Sequence, residues 1–124
     1  MTPHFTDAEL ACKCGCGLLP PQPTQDRAER VRVRFGKPMR ISSGARCPKH
    51  NQAVSSTGPD GPHTKGAIDF AVFGADALRV VQIAQEEGFT GIGISQKGEQ
   101  EKRFIHVDEL PNAPGQPRPW IWSY

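Results

Sequence analysis

The sequence has no stretch approaching the ~18 consecutive apolar residues that a membrane-spanning helix needs. Its opening segment, Met1-Thr2-Pro3-His4-Phe5-Thr6-Asp7, also lacks the apolar core of a secretory signal peptide. We therefore expect no membrane segment, and we expect the chain to be synthesised in the cytoplasm without a signal peptide.

A strong excess of charge of one sign is also absent. The 124 residues include 15 Lys and Arg against 13 Asp and Glu, so the formal net charge is +2. This balance argues against a nucleic-acid-binding surface, which depends on dense positive charge. Internal repeats and linker-like shifts in composition are missing too. We expect one domain over residues 1–124, and a monomer with no nucleic-acid partner.

Glycine (13) and proline (12) are frequent and spread along the chain, which is typical of short elements joined by many turns. Capping residues and apolar spacing predict three helices, over residues 7–11, 25–35 and 75–87, with Thr24 as the N-cap of the second. Short apolar runs predict four strands, over residues 38–41, 67–72, 91–94 and 104–107. This order of elements predicts a small single-domain α+β fold with an antiparallel sheet flanked by helices.

Asp69 and His106 are unusual because each lies inside an otherwise apolar strand segment. A buried carboxylate is costly unless it is paired with a positive charge or bound to a metal ion. Taken singly, each residue has an ordinary explanation. Asp69 can cap a turn or pair with an arginine, and His106 can be a hydrogen-bonded core histidine.

His63 changes this interpretation. It occupies a glycine-broken loop in Pro62-His63-Thr64-Lys65-Gly66, a few residues before Asp69. Together with His106, these residues can offer two imidazoles and one carboxylate to a single point. Catalytic zinc takes three such protein ligands and keeps the fourth tetrahedral position open, whereas structural zinc fills all four positions, usually with thiolates. The pattern therefore predicts one catalytic zinc ion per chain.

Five blocks of the sequence, in this order, resemble the M15 family of zinc peptidases: Ser43-Gly44-Ala45-Arg46-Cys47-Pro48-Lys49-His50-Asn51, His63-Thr64-Lys65-Gly66-Ala67-Ile68-Asp69, Gly91-Ile92-Gly93-Ile94, Phe104-Ile105-His106-Val107-Asp108 and Arg118-Pro119-Trp120. The family includes D-alanyl-D-alanine carboxypeptidases and dipeptidases and phage L-alanyl-D-glutamate endolysins. The resemblance implies the fold shared by hedgehog proteins and D-Ala-D-Ala peptidases. It also implies that His63, Asp69 and His106 are the zinc ligands.

The resemblance implies a function as well. It indicates a zinc metallopeptidase of the D,D-carboxypeptidase or L-alanyl-D-glutamate endopeptidase type, whose partner would be the peptidoglycan stem peptide. A phage or prophage endolysin, released to the cell wall by a phage-type lysis system, fits the small size and the lack of a signal peptide. The alternative is a non-catalytic wall-binding or virion-associated module that retains the fold and the zinc ion.

The general base does not follow the usual pattern. Many relatives carry an acidic residue three positions before the last zinc ligand, or a histidine two positions before it. Here those positions hold Arg103 and Phe104, which cannot accept a proton. Asp108 lies two residues after His106, so both side chains point to the same face of a strand. We expect Asp108 to be the catalytic base.

Two roles stay open. Asp108 could instead orient His106, in which case Glu101 or Glu99 would be the base. Arg46 has the planar guanidinium suited to a substrate carboxylate, a role that the resemblance also implies. Its alternative is an ion pair that holds its own loop in place.

The four cysteines are Cys12, Cys14, Cys16 and Cys47. Their Cys-x-Cys-x-Cys spacing is not the usual two-residue spacing of a zinc knuckle, so a structural zinc site is the weaker interpretation. Free thiols, or one disulfide from the N-terminal segment to Cys47, rank ahead of a second metal ion.

Overall fold

The computed structural model describes residues 1–124. The five helices are α1 (Asp7–Leu10), α2 (Gln22–Phe35), α3 (Pro48–Val54), α4 (Pro62–Lys65) and α5 (Gly74–Glu86). The five strands are β1 (Arg40–Ser43), β2 (Ala67–Ala71), β3 (Gly91–Ser95), β4 (Phe104–Asp108) and β5 (Trp120–Ser123). A short 3-10 helix covers Gln100–Lys102. None of these helices is long and apolar enough to cross a membrane.

The strands form one sheet in the order β1-β2-β4-β3-β5. Neighbouring strands are antiparallel except for β3 and β5, which are parallel. The expected small α+β fold with a mainly antiparallel sheet is thus confirmed. The parallel fifth strand was not expected from the sequence.

The two faces of the sheet carry different side chains, because alternate residues of a strand point to opposite faces. One face packs with α2 and α5 into a core cluster of 17 buried residues. The strand residues in that cluster are Ile41, Ile68, Phe70, Ile92, Ile105 and Val107. Each large apolar side chain buried in this way contributes about 1.5–3 kcal/mol. The core therefore holds β2, β3 and β4 rigidly in register, and the polar residues of these strands lie on the opposite face.

Two local expectations were wrong. The second helix begins at Gln22, before Thr24, because a proline (Pro23) in the first turn needs no hydrogen-bond partner for its nitrogen. The Thr24 hydroxyl instead donates to the Glu109 carboxylate at 2.8 Å. His63 lies on the short helix α4 and not on a loop. Gly66 ends that helix with a φ of 132°, a left-handed conformation that leads directly into β2.

Candidate metal centre

His63, Asp69 and His106 lie together on the polar face of the sheet, and we call them the His–Asp–His centre. Asp69 in β2 and His106 in β4 are direct partners in the strand register. The Asp69 Oδ1 atom lies 3.1 Å from His106 Nδ1 and 3.2 Å from His63 Nε2. All three residues are buried, and their potential ligand atoms lie within 4.8 Å of one another. The structure therefore brings together the three residues that the sequence singled out.

The far nitrogen of each histidine has its own hydrogen-bond acceptor. His63 Nδ1 lies 2.7 Å from the carbonyl oxygen of Gly44, and His106 Nε2 lies 2.9 Å from Asp108 Oδ2. A ring nitrogen that donates to such an acceptor leaves the other nitrogen with a free lone pair. The two lone pairs are then on His63 Nε2 and His106 Nδ1, the atoms that face Asp69. Histidines that bind metals are usually oriented in this way.

The electrostatics of the centre favour a charged Asp69. Burial would raise the pKa of its carboxyl, but the close imidazoles of His106 and His63 outweigh that effect and hold the pKa well below its usual range. Burial would also lower the pKa of His106, yet hydrogen bonds to Asp108 and Asp69 raise it. Positive charge is therefore favoured at this place, between two carboxylates. A divalent cation at the same place would supply that charge.

Asp108 lies on the opposite side of the His106 ring from Asp69. Its carboxylate is fully buried and also accepts from Arg118, whose Nε and Nη2 lie 2.9 and 2.8 Å from Oδ1 and Oδ2. The Leu110 backbone N–H donates to Oδ1 at 3.3 Å. Burial would raise the pKa of Asp108, but the hydrogen bonds to His106 and Arg118 lower it to about 2. Both oxygens of Asp108 are therefore occupied, and neither faces the centre.

Two glycines of β3 make room for this arrangement. A Cβ on Gly91 would lie 2.3 Å from Asp108 Oδ1 and 2.6 Å from Arg118 Nε. A Cβ on Gly93 would lie 2.7 Å from Trp122 Nε1 and 3.0 Å from the Cβ of His106. In the Gly-Ile-Gly-Ile block, the isoleucines thus point to the core, and the glycines leave room on the other face for the polar residues and Trp122.

The centre opens into a cleft of about 550 Å³. Helix α3, the segment after it and β5 contribute much of the wall. The lining residues include Arg46, Asn51, Ser56, Thr57, His63, Asp69, Phe104, His106, Arg118, Trp120, Trp122 and Tyr124. Asp69 is the only acidic residue among those that line the cleft, since Asp108, Glu99 and Glu101 lie outside it.

Arg46 reaches the centre from the loop between β1 and α3. Its Nε donates to Ser43 Oγ at 3.2 Å, its Nη1 donates to Asn51 Oδ1 at 3.1 Å, and its Nη2 lies 3.8 Å from Asp69 Oδ2. The buried Asn51 side chain is in turn fixed by hydrogen bonds to the segment after α3. Arg46 is therefore held in one orientation, with one edge of its guanidinium in the cleft.

Sequence reasoning missed the contribution of β5. The resemblance includes Arg118 but implies no role for it, and the sequence predicts no position for Trp122 or Tyr124. The Trp122 ring packs against His106 with centroids 5.0 Å apart, and Tyr124 packs against Phe104 at 5.2 Å. The alternating aromatic pattern Trp120-Ile121-Trp122-Ser123-Tyr124 is a strand signal that could have located this wall of the cleft.

The donor set of the His–Asp–His centre fits zinc. Two imidazole nitrogens and one carboxylate oxygen are typical ligands of a catalytic zinc ion, which leaves one tetrahedral position open. Here the fourth side of the centre is the cleft. The orienting hydrogen bonds of both histidines agree with this interpretation.

Fold and centre together define a metallopeptidase-like domain. The family model described as Peptidase M15 matches residues 3–108, and the chain belongs to this family of zinc-dependent peptidases. No curated protein and no solved structure matches the chain. The matched range includes the His–Asp–His centre, whereas β5 and Arg118 lie after it.

Proposed function

We propose that this protein is a zinc peptidase that hydrolyses peptide bonds in peptidoglycan stem peptides. The observation that carries the proposal is the His–Asp–His centre, whose three donors converge beside an open cleft. Membership of the M15 family supports the same class of substrate. Since the family includes phage L-alanyl-D-glutamate endolysins, a phage or prophage endolysin that acts at the cell wall is the form of the proposal that we favour.

In this proposal one zinc ion is held by His63 Nε2, Asp69 and His106 Nδ1. Bound zinc would supply Lewis-acid polarisation of the scissile carbonyl and a more acidic water molecule. The carboxylate of Asp69 balances the positive charge, while Gly44 and Asp108 keep the two rings in their binding orientation.

Arg46 is proposed to bind the substrate. Stem peptides carry free carboxylates at D-glutamate and at the terminal D-alanine, and a guanidinium N–H can donate a charge-assisted hydrogen bond to such a group. Arg46 Nε and Nη1 already bond to Ser43 and Asn51, so Nη2 is the nitrogen that remains for a ligand in the cleft. The rings of Trp122 and Tyr124 form an adjoining wall for the apolar parts of the peptide.

Asp108 is proposed as a positioning residue that acts through His106. Its buried carboxylate bonds to His106 Nε2 and to Arg118, which leaves no oxygen facing the cleft. Of the two roles considered from the sequence, this geometry favours orientation of the ligand over proton transfer from water. A carboxylate behind a metal-binding histidine increases its basicity and fixes its tautomer.

A second candidate function is a wall-binding module that keeps the zinc ion but does not cleave. One observation favours it. No acidic residue other than Asp69 lines the cleft, so a general base is missing from its walls. Glu99 is exposed beside Lys102, and Glu101 is also exposed, both outside the cleft.

Incubation of zinc-loaded protein with purified peptidoglycan tests both candidates. Mass analysis of soluble fragments would show new L-alanine and D-glutamate termini for an endopeptidase, or released D-alanine for a carboxypeptidase. The His106→Ala variant serves as the control and should release nothing. Sedimentation of the protein with the wall polymer, without any fragments, would instead establish the binding module.

A further inference from the structure

The four cysteines form a second group of potential metal ligands, which we call the four-cysteine cluster. Cys12, Cys14 and Cys16 lie between α1 and α2, and Cys47 is the N-cap of α3, more than thirty residues away. The four sulfur atoms all lie within 4.8 Å of one another. The Sγ–Sγ distances are 3.4 Å for Cys12 and Cys14 and 3.6 Å for Cys14 and Cys47.

The backbone conformation explains how three cysteines separated by only one residue each can bring their sulfur atoms together. Gly15 and Gly17 both have left-handed conformations, with φ of 88° and 84°, which side-chain-bearing residues rarely adopt. The Gly15 N–H donates to the Cys12 carbonyl, and the Cys12 N–H donates to the Leu18 carbonyl. The segment is therefore a closed turn, and its three thiols point to a common side.

The spacing of the sulfurs fits a tetrahedral metal site. Zinc–sulfur bonds of ~2.3 Å place the corners of a regular tetrahedron about 3.8 Å apart. The two measured distances are slightly shorter than this edge, and they are far longer than the ~2.05 Å of a disulfide bond.

Backbone amides also point at two of the sulfurs. The Cys47 N–H donates to Cys12 Sγ at 3.3 Å, and the His50 N–H donates to Cys47 Sγ at 3.4 Å. Hydrogen bonds of this kind fix the positions of the two sulfur atoms, as the surroundings of a metal site commonly do for its ligands. A single disulfide would use only two of the four sulfurs, whereas a tetrahedral metal ion would use all four.

We propose that the four-cysteine cluster binds a structural zinc ion. All four tetrahedral positions would be filled by thiolates, as is typical of structural zinc, so this ion would take no part in hydrolysis. Its occupancy is independent of the His–Asp–His centre, because the two groups share no ligand.

The cluster joins the N-terminal segment to the loop that carries Arg46. These two parts already touch, since the Ala45 N–H donates to the Leu10 carbonyl at 2.9 Å. Gly44 packs so closely there that a Cβ would lie 2.2 Å from the Leu10 oxygen. A zinc ion at Cys47 would fix the chain directly after Arg46 and at the start of α3. Its loss should therefore loosen a wall of the cleft without removing the ligands of the other ion.

Metal analysis of the full chain tests the proposal. Purified wild-type protein should hold about two zinc ions per chain. The Cys14→Ser/Cys16→Ser variant, which changes the two exposed cysteines, should lose one ion, and so should His106→Ala. Lys13→Ser is the matched control from the same turn and should keep both.

Two further measurements identify the ligands and guard against misfolding. Cobalt-loaded wild-type and His106→Ala proteins should show thiolate-to-cobalt charge-transfer absorption, which the double cysteine variant should lack. If that variant does not fold, stepwise modification of the wild-type thiols should release one zinc ion in proportion to thiol loss. One zinc per chain with four reactive thiols in the native zinc-loaded protein would overturn the proposal. So would a disulfide among these cysteines in freshly purified, non-reduced protein.

Discussion

The His–Asp–His centre and the four-cysteine cluster differ in the elements of the fold that hold them and in their exposure to the surroundings. The first is built on two middle strands of the sheet and on the short helix α4 before β2, and its three residues are 1–6% exposed. The second is built on a turn and a helix cap, and two of its four cysteines are exposed. Three donors beside a cleft leave a place for substrate, whereas four donors close on themselves.

The two groups therefore differ in what a bound metal ion would do for the protein. Asp69 and His106 lie on paired strands that the core holds in place, and His63 is fixed by its bond to the Gly44 carbonyl, so their arrangement does not depend on a metal ion. A turn of small and polar residues has no core of its own, so a metal ion there would contribute its binding energy to the fold. Metal removal should then affect function at one group and structure at the other.

The largest effect is expected from His106→Ala. The change removes a ligand from a rigid site and leaves two donors, so the zinc content should fall by one ion per chain and peptidoglycan cleavage should be abolished. The fold should survive, because His106 belongs to the polar face of the sheet and not to its apolar core. Zinc analysis, fragment analysis and circular dichroism measure the three quantities. An unchanged zinc content would contradict the ligand assignment.

Asp108→Asn should have the next largest effect. If Asp108 orients His106, the affinity for zinc should fall by about ten- to a hundredfold, and excess zinc should restore most of the turnover. If Asp108 were the general base, turnover at saturating zinc would stay about a hundredfold or more below that of the wild type. Zinc titrations of the rate separate the two results.

Two kinds of control accompany Asp108→Asn. Glu101→Gln and Glu99→Gln change the alternative bases, and near-normal rates for both would remove them from the mechanism. Arg118→Gln removes the other partner of Asp108 and keeps the bond to His106, so it should weaken zinc binding less than Asp108→Asn. Since Arg118 and Asp108 form a buried pair, the unfolding free energy of each variant must be measured as well.

The sequence predicted the fold class and most elements because apolar spacing reflects the core directly. It also singled out His63, Asp69 and His106, since a charge within an apolar strand requires an explanation. Contacts made across the fold were not visible in this way. The pairing of Asp108 with Arg118 depends on the register of β3, β4 and β5, which no local pattern specifies. Likewise, the odd spacing of the cysteines concealed how closely a glycine turn brings them together.

Gly91→Ala tests how tightly the polar face is packed. The added methyl group would lie within 2.3–2.6 Å of the Asp108 carboxylate and Arg118 Nε, so the pair must move. We expect a loss of about 1–3 kcal/mol in the free energy of unfolding, together with weaker zinc binding. Ser95→Ala, in the same strand, is the control and should change zinc binding little. Denaturant unfolding and zinc titration measure both effects, and a neutral result would show that the Asp108–Arg118 pair is not held rigidly.

Glu29→Gln should have the smallest effect, and it tests whether the N-terminal segment depends on more than its cysteines. Glu29 of α2 accepts from the His4 backbone N–H at 2.8 Å and also bonds to the His4 ring. Burial would raise the pKa of Glu29, but hydrogen bonds from Thr2 and His4 outweigh it and lower the pKa from its ordinary value of 4.5. A carboxyl with a lowered pKa stabilises the fold above its unfolded-state pKa, and this contribution is lost as the pH falls through the folded-state value. The variant should therefore be less stable than the wild type by about 0.5–1 kcal/mol at neutral pH, and the difference should vanish in acid.

Urea unfolding at neutral and at acid pH measures this difference in stability, with Asp26→Asn on the same helix as the control. A difference that persists unchanged in acid would show that the charge on Glu29 is not what holds His4, and the four-cysteine cluster would then be the stronger connection of this segment to the domain.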